Sequence, residues 1–157
     1  VSEKLDSDVA GLLADPSTVK VLVTVGEDGT PHAVIKQSLH LDAEGNLVYL
    51  ELLESSRTNR NMVRSIWYNR RVAILLKGKQ GESYQIKGTP VKAIVSGPVF
   101  QQHYTRIRYQ LGDVDLAAVW VIEPEAVIDE SYAVRKAQEE SLHPHWLHLD
   151  RLAKQSI

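Results

Sequence analysis

The chain contains no cysteine. Disulfides, thiolate metal sites, iron–sulfur clusters and thiol nucleophiles are therefore excluded. It has no surplus of either charge: 18 Lys and Arg stand against 20 Asp and Glu, a formal net charge of -2 at pH 7. Binding to nucleic acid needs a basic surplus to neutralise phosphates, so no nucleic-acid partner is expected. No apolar run approaches the roughly 20 residues that span a bilayer. Val1-Ser2-Glu3-Lys4 does not start a charged-then-apolar leader. No membrane association is expected, and a cytoplasmic location is the default. Gly-x-Gly-x-x-Gly, His-Glu-x-x-His and Gly-x-Ser-x-Gly are all missing, and Gly78-Lys79-Gln80-Gly81 is too short for a phosphate-binding P-loop.

What remains is an ordinary globular composition, 43% hydrophobic and 24% charged over 157 residues, which suits one domain with its own core. The expected organisation is a single domain over 1–157, with 125–157 as a charged C-terminal extension. Leu5, Val9, Leu12 and Leu13 fall on one helical stripe, which Asp15-Pro16 stops. Val19 to Val25 alternates as a strand. Thr30 to Leu41 reads as one long second strand and Leu47 to Leu52 as a third, with turns at Gly26–Gly29 and Asp42–Asn46. From Ser55 to Tyr68 the spacing turns helical, with Met62, Val63, Ile66 and Trp67 sharing a face. Arg71 to Leu76 and Glu82 to Ser96 are strands, the latter interrupted at Gly88 and Pro90. Gly97-Pro98 opens a helix over Val99 to Leu111, with Phe100, Tyr104, Ile107 and Leu111 on a packing face and Arg106 and Arg108 solvated. Asp115 to Glu123 is the last core strand, and Trp146 to Lys154 suggests a short helix. The fold class is mainly β: an antiparallel barrel of six to eight strands with flanking helices.

The segment richest in chemistry is Glu54-Ser55-Ser56-Arg57-Thr58-Asn59-Arg60-Asn61-Met62, where a strand hands over to a helix. Helix starts present free N–H groups and a partial positive charge, which suit a phosphate. Taken alone, the segment also fits an ordinary solvated helix start. The ordered series is more telling. Val19 to Lys36 with its Glu-Asp-Gly-Thr-Pro turn, then Asp42 to Tyr49, then Ser56 to Met62 with Tyr68-Asn69-Arg70-Arg71-Val72-Ala73, then Tyr84 to Thr89, resembles the pyridoxamine 5'-phosphate oxidase-like family of FMN-binding split β-barrels over roughly 18–95. The resemblance implies FMN held at the interface of a homodimer. It also implies a small-molecule substrate or a nicotinamide electron donor. Ser56, Arg57, Thr58, Arg60 and Asn61 match its phosphate-side motif; Lys36, Gln37 and Ser38 match the strand along the flavin ring, and Leu50 and Glu51 the strand end beneath it. Thr58 stands where the family usually has lysine, and Met62 where it has leucine. The family's Arg-x-His and Phe-Trp-Gln-Gly motifs for vitamin B6 are missing from 128–136, so an FMN-dependent oxidoreductase of another substrate is expected. The alternatives are a non-catalytic flavin carrier, a haem-binding protein of the same barrel, and a cofactor-free dimer.

Other residues have plainer readings. His143, His145 and His148 form a cluster that Pro144 interrupts, and it reads as a surface tail rather than a metal site. His32 and His40 on one strand would face the same side about 26 Å apart. Trp67 and Trp120 are expected in the core. Trp146 is expected to cover a partner's flavin, with the C-terminal tail docked on the partner or on its own barrel.

Overall fold

The computed structural model describes residues 5–146. Among these residues, seven strands form one antiparallel sheet in the order β2-β1-β5-β6-β7-β4-β3, curled into a half-barrel with four helices around it. The strands are β1 Val19–Val25, β2 Pro31–Ile35, β3 His40–Leu41, β4 Leu47–Glu51, β5 Val72–Lys77, β6 Ser83–Ile94 and β7 Ala118–Asp129. The helices are α1 Ser7–Ala14, α2 Arg57–Trp67, α3 Pro98–Leu111 and α4 Tyr132–Leu142.

Helix α1 starts where Asp6 accepts from the Val9 amide at 3.0 Å and buries Val9 and Leu13 against the barrel. The barrel interior is lined by alternate strand residues: Leu22 from β1, Ile74 and Leu76 from β5, Ile86 from β6, Trp120 and Ile122 from β7, Leu47 and Tyr49 from β4. Strands β4 and β7 are buried on both faces, because α3 lays Phe100, Tyr104 and Ile107 over their outer side chains Val48, Leu50, Val119 and Val121. Near-continuous apolar runs in those two strands follow from this double cover. At Gly88 β6 and β7 approach closely: a Cβ there would sit 2.7 Å from the Glu123 carbonyl oxygen, and the ladder shifts register beside it.

Four expectations are corrected. Thr30 to Leu41 is not one strand. It divides into β2 and β3, which lie at the two opposite edges of the sheet, with a turn between them closed by Leu39 N–H to Lys36 C=O at 3.1 Å. His32 and His40 therefore do not share a strand face. The last strand begins at Ala118 and runs on to Asp129, where Glu123 had marked its expected end. A helix, α4, follows it at Tyr132; the helix expected over Trp146 to Lys154 lies, apart from Trp146, outside the described residues. Finally, α2 is turned away from its expected face. It buries Thr58, Asn61, Met62 and Ser65 and leaves Val63, Ile66 and Trp67 outward, with Trp67 79% exposed. Asn61 fixes this rotation by donating to the buried Thr24 hydroxyl at 3.0 Å. A polar pair inside a small barrel outweighs the apolar stripe, because a buried amide left unpaired costs about 1–3 kcal/mol.

Candidate functional site

The turn between β2 and β3 carries the chain from one sheet edge to the other, and its side chains tie the edges together. Gln37 continues the β1 ladder: its Oε1 accepts from the Lys20 amide at 2.9 Å and its Nε2 donates to the Thr18 carbonyl at 3.0 Å. Ser38 Oγ accepts from the Leu50 amide of β4 at 3.0 Å. Lys20 points inward, nearly fully buried, and donates from Nζ to the Leu39 carbonyl at 3.2 Å. Burial pushes its ammonium pKa down, with the charge of Asp15 partly opposing.

Lys36 closes the same seam from the other side. Its Nζ lies 3.4 and 3.3 Å from the two carboxylate oxygens of Glu51, which also accepts from the Leu53 amide at 3.2 Å. The Glu51 side chain is 2% exposed and that of Lys36 19%. Lys36 also stands 5.5 Å from the centre of the Tyr49 ring. The Tyr49 hydroxyl is wholly buried and makes no well-formed hydrogen bond, although the Glu51 carboxylate lies near enough to act on it. Burial first, and that carboxylate second, hold the phenol well above the usual tyrosine range.

Outside this seam lies a cleft of about 450 Å³, within the roughly 300–1,000 Å³ of small-molecule sites. Four of the residues singled out from the sequence meet in its wall: Lys36, Gln37, Ser38 and Leu50. Helix α3 supplies the opposite wall with Arg106, Ile107 and Gln110, and His40 stands at one end. Arg106 and Gln110 were not legible as site residues. The apolar spacing of α3 marks its packing face and says nothing of which polar residues overhang a cleft. Lys36 is neutralised by Glu51, whereas Arg106 makes no ion pair with a described residue; its bond is to the neutral ring nitrogen Nδ1 of His103 at 2.8 Å.

The remaining nominated residues lie elsewhere. Glu51 faces the barrel interior. Ser56 caps α2, accepting from the Asn59 amide at 3.0 Å. Thr58 and Asn61 are buried beneath the helix. Arg57 and Arg60 are exposed at its start and form no ion pair with a described residue. Asn59, between them, ties this helix start to the core: its Oδ1 accepts from the Trp120 indole at 2.9 Å and its Nδ2 donates to the Glu54 carbonyl at 2.9 Å. Trp120 is thus in the core, as expected. Trp146 stacks on His143 at 3.7 Å between ring centres and does not line the cleft of its own chain. Among the described residues no group of three or more His, Asp or Glu is placed to hold a metal ion, and no helix is long and apolar enough to cross a membrane.

No protein-family model and no curated protein matches the sequence. Solved structures do match. HupZ of Group A Streptococcus superposes with a TM-score of 0.67 at 17% identity, over 82% of this chain and 95% of HupZ. A candidate pyridoxamine 5'-phosphate oxidase from Lactobacillus delbrueckii gives 0.63 at 18% identity, over 80% and 93% of the two chains. An FMN-binding protein from Syntrophomonas wolfei gives 0.62 at 12% identity, over 78% and 83%. HutZ, the haem storage protein of Vibrio cholerae, gives 0.57 at 12% identity over 81% and 95%. At such identities the likeness concerns the fold. The curled seven-stranded sheet, closed by the Lys36–Leu39 link and flanked by helices, is the split β-barrel of the pyridoxamine 5'-phosphate oxidase-like proteins.

Proposed function

We propose that this chain is an FMN-binding oxidoreductase that works as a homodimer. The observation carrying this reading is the cleft at the barrel seam, where Lys36, Gln37, Ser38 and Leu50 converge in a fold that an FMN-binding protein of known structure shares. The donor set suits the cofactor. Leu50, Ile107 and the other apolar groups of the cleft offer contact to a ring system, and the Lys36 ammonium and Ser38 hydroxyl offer polar contacts at its edge. The start of α2 suits a phosphate, since a helix start offers free amides and Arg57 and Arg60 stand exposed there without an ion pair to a described residue. Bound there, flavin would supply hydride transfer, while the chain would orient it and keep water from one face.

Surfaces that this chain leaves apolar support a second subunit. On α2, Val63, Ile66 and Trp67 face outward. On the outer barrel wall Val21 pairs across to Ile35 on one side and to Leu75 on the other, and Ile35 is 65% exposed. Contiguous apolar surface of this kind marks an interface, and a second copy with two-fold symmetry would cover both subunits' patches alike.

The test is a visible spectrum of the purified full-length protein, before and after FMN is added. Oxidised-flavin bands that bleach with NADPH or NADH support the enzyme, and bands that persist indicate a flavin carrier. A Soret band would favour haem, the ligand named for HutZ. A colourless protein that takes up neither would overturn the reading.

A further inference from the structure

A second hollow lies on the outer face of the sheet, beneath α3 and next to the cleft, with His40 on the boundary of both. Its volume is about 360 Å³ and its floor is apolar: Val48, Ile94, Val119 and Val121. In its wall His40 of β3 and His103 of α3 stand together, ring centres 5.8 Å apart and planes tilted by 48°.

The hydrogen bonds of these two rings fix their tautomers. His40 Nδ1 lies 2.7 Å from the Ser38 carbonyl oxygen. A carbonyl only accepts, so Nδ1 carries the proton, and in the neutral ring Nε2 keeps a lone pair. His103 Nδ1 lies 2.8 Å from Arg106 Nη2. A guanidinium only donates, so here Nδ1 is bare and the proton sits on Nε2. Burial, then the charge of Arg106, then His40 hold the His103 imidazole below the ordinary histidine range, which keeps it neutral. The remaining ring nitrogens are therefore one acceptor, on His40, and one donor, on His103. This pairing is wrong for a metal, because His103 has no lone pair left for a cation. Charge at the rim gives no preference for an ion either: Asp42 and Glu44 are balanced by Lys92 and the nearby Arg106.

We propose that this hollow binds a small, neutral, apolar ring bearing a carboxamide or lactam edge. Its N–H donates to His40 Nε2, and its carbonyl accepts from His103 Nε2–H. The ring body lies on the valine and isoleucine floor. The assignment stands whether or not the neighbouring cleft takes a flavin.

The probe is benzamide, with benzoate and benzylamine as charged isosteres, titrated into full-length protein and followed by ligand-observed NMR. Benzamide should bind in preference to both. His103→Asn keeps an acceptor for Arg106 and loses the distal donor, so it should weaken benzamide by roughly three- to tenfold, the worth of one neutral hydrogen bond. His103→Gln retains a distal donor and should bind nearly as the parent does. His40→Asn, which loses the distal acceptor, should weaken binding likewise, and His40→Gln, which keeps one, should restore it. Far-ultraviolet circular dichroism of each variant checks that the fold is kept. The proposal is overturned if benzamide does not bind, if the Asn variants bind it as tightly as the Gln variants, or if either charged isostere binds as well. Zinc binding that His40→Asn abolishes would also overturn it.

Discussion

Removing either partner of the Lys36–Glu51 pair should destabilise the fold, and the two removals should not be equal. Breaking a buried ion pair costs about 3–5 kcal/mol when the charge left behind stays buried. Lys36→Met leaves Glu51 in that state, its side chain 2% exposed with the Leu53 amide and the nearby Tyr49 hydroxyl as neutral neighbours. The expected loss is about 3–5 kcal/mol. Glu51→Gln leaves Lys36, which is 19% exposed and can turn its ammonium to water; about 1–3 kcal/mol is expected, nearer a lost charged hydrogen bond. The double variant should recover much of the sum, because no unpaired charge remains. Urea unfolding of the four proteins measures all of this. Equal single losses that simply add in the double variant would refute the argument, since they would mean that the two groups do not interact.

Gln37→Ala should cost about 1–3 kcal/mol by urea unfolding, since it strands the Lys20 amide and the Thr18 carbonyl, and Gln37→Glu should not rescue it because a carboxylate cannot donate to Thr18. Arg57→Ala with Arg60→Ala should weaken FMN at least tenfold in a fluorescence-quench titration, at about 1.5–3 kcal/mol per charged contact; unchanged affinity removes both from the phosphate site. Trp67→Lys should give a monomer in sedimentation, and a parent protein that is already monomeric contradicts the homodimer. Stability should fall on acidification through and below the ordinary histidine pKa of about 6.5: His103 is held below it, so the unfolded state takes up the proton first and stability is full only above that pH. Chemical unfolding as a function of pH checks this, and His103→Gln should flatten the slope.

Much of the barrel was legible because strand alternation and turn chemistry are local. Gly26–Gly29, Asp42–Asn46 and the Gly88–Pro90 interruption all fall where hydrogen bonds or register demand them. The break inside Thr30–Leu41 was not legible, since Lys36 and Gln37 prefer no turn and one serine, Ser38, is a weak signal; they form one because their side chains find partners on β1 and β4, far away in sequence. The rotation of α2 was hidden for the same reason, depending on Thr24 meeting Asn61. At the cleft, the ordered resemblance nominated four of the lining residues but could not supply Arg106 and Gln110, which arrive from another helix.

The Lys36–Leu39 link bears on how ligand affinity and folding are coupled. The side chains that close the sheet are among those that line the cleft, so closure and occupancy draw on the same few atoms. A guest that contacts Lys36 or Ser38 without displacing Glu51 or the Leu50 amide would act as a clasp across the seam, holding the barrel shut in proportion to its concentration over its dissociation constant. A guest that took the Lys36 ammonium for itself would free the Glu51 carboxylate inside the barrel and loosen the fold that holds it. Thermal melting in the presence of a ligand therefore distinguishes two poses as well as detecting binding.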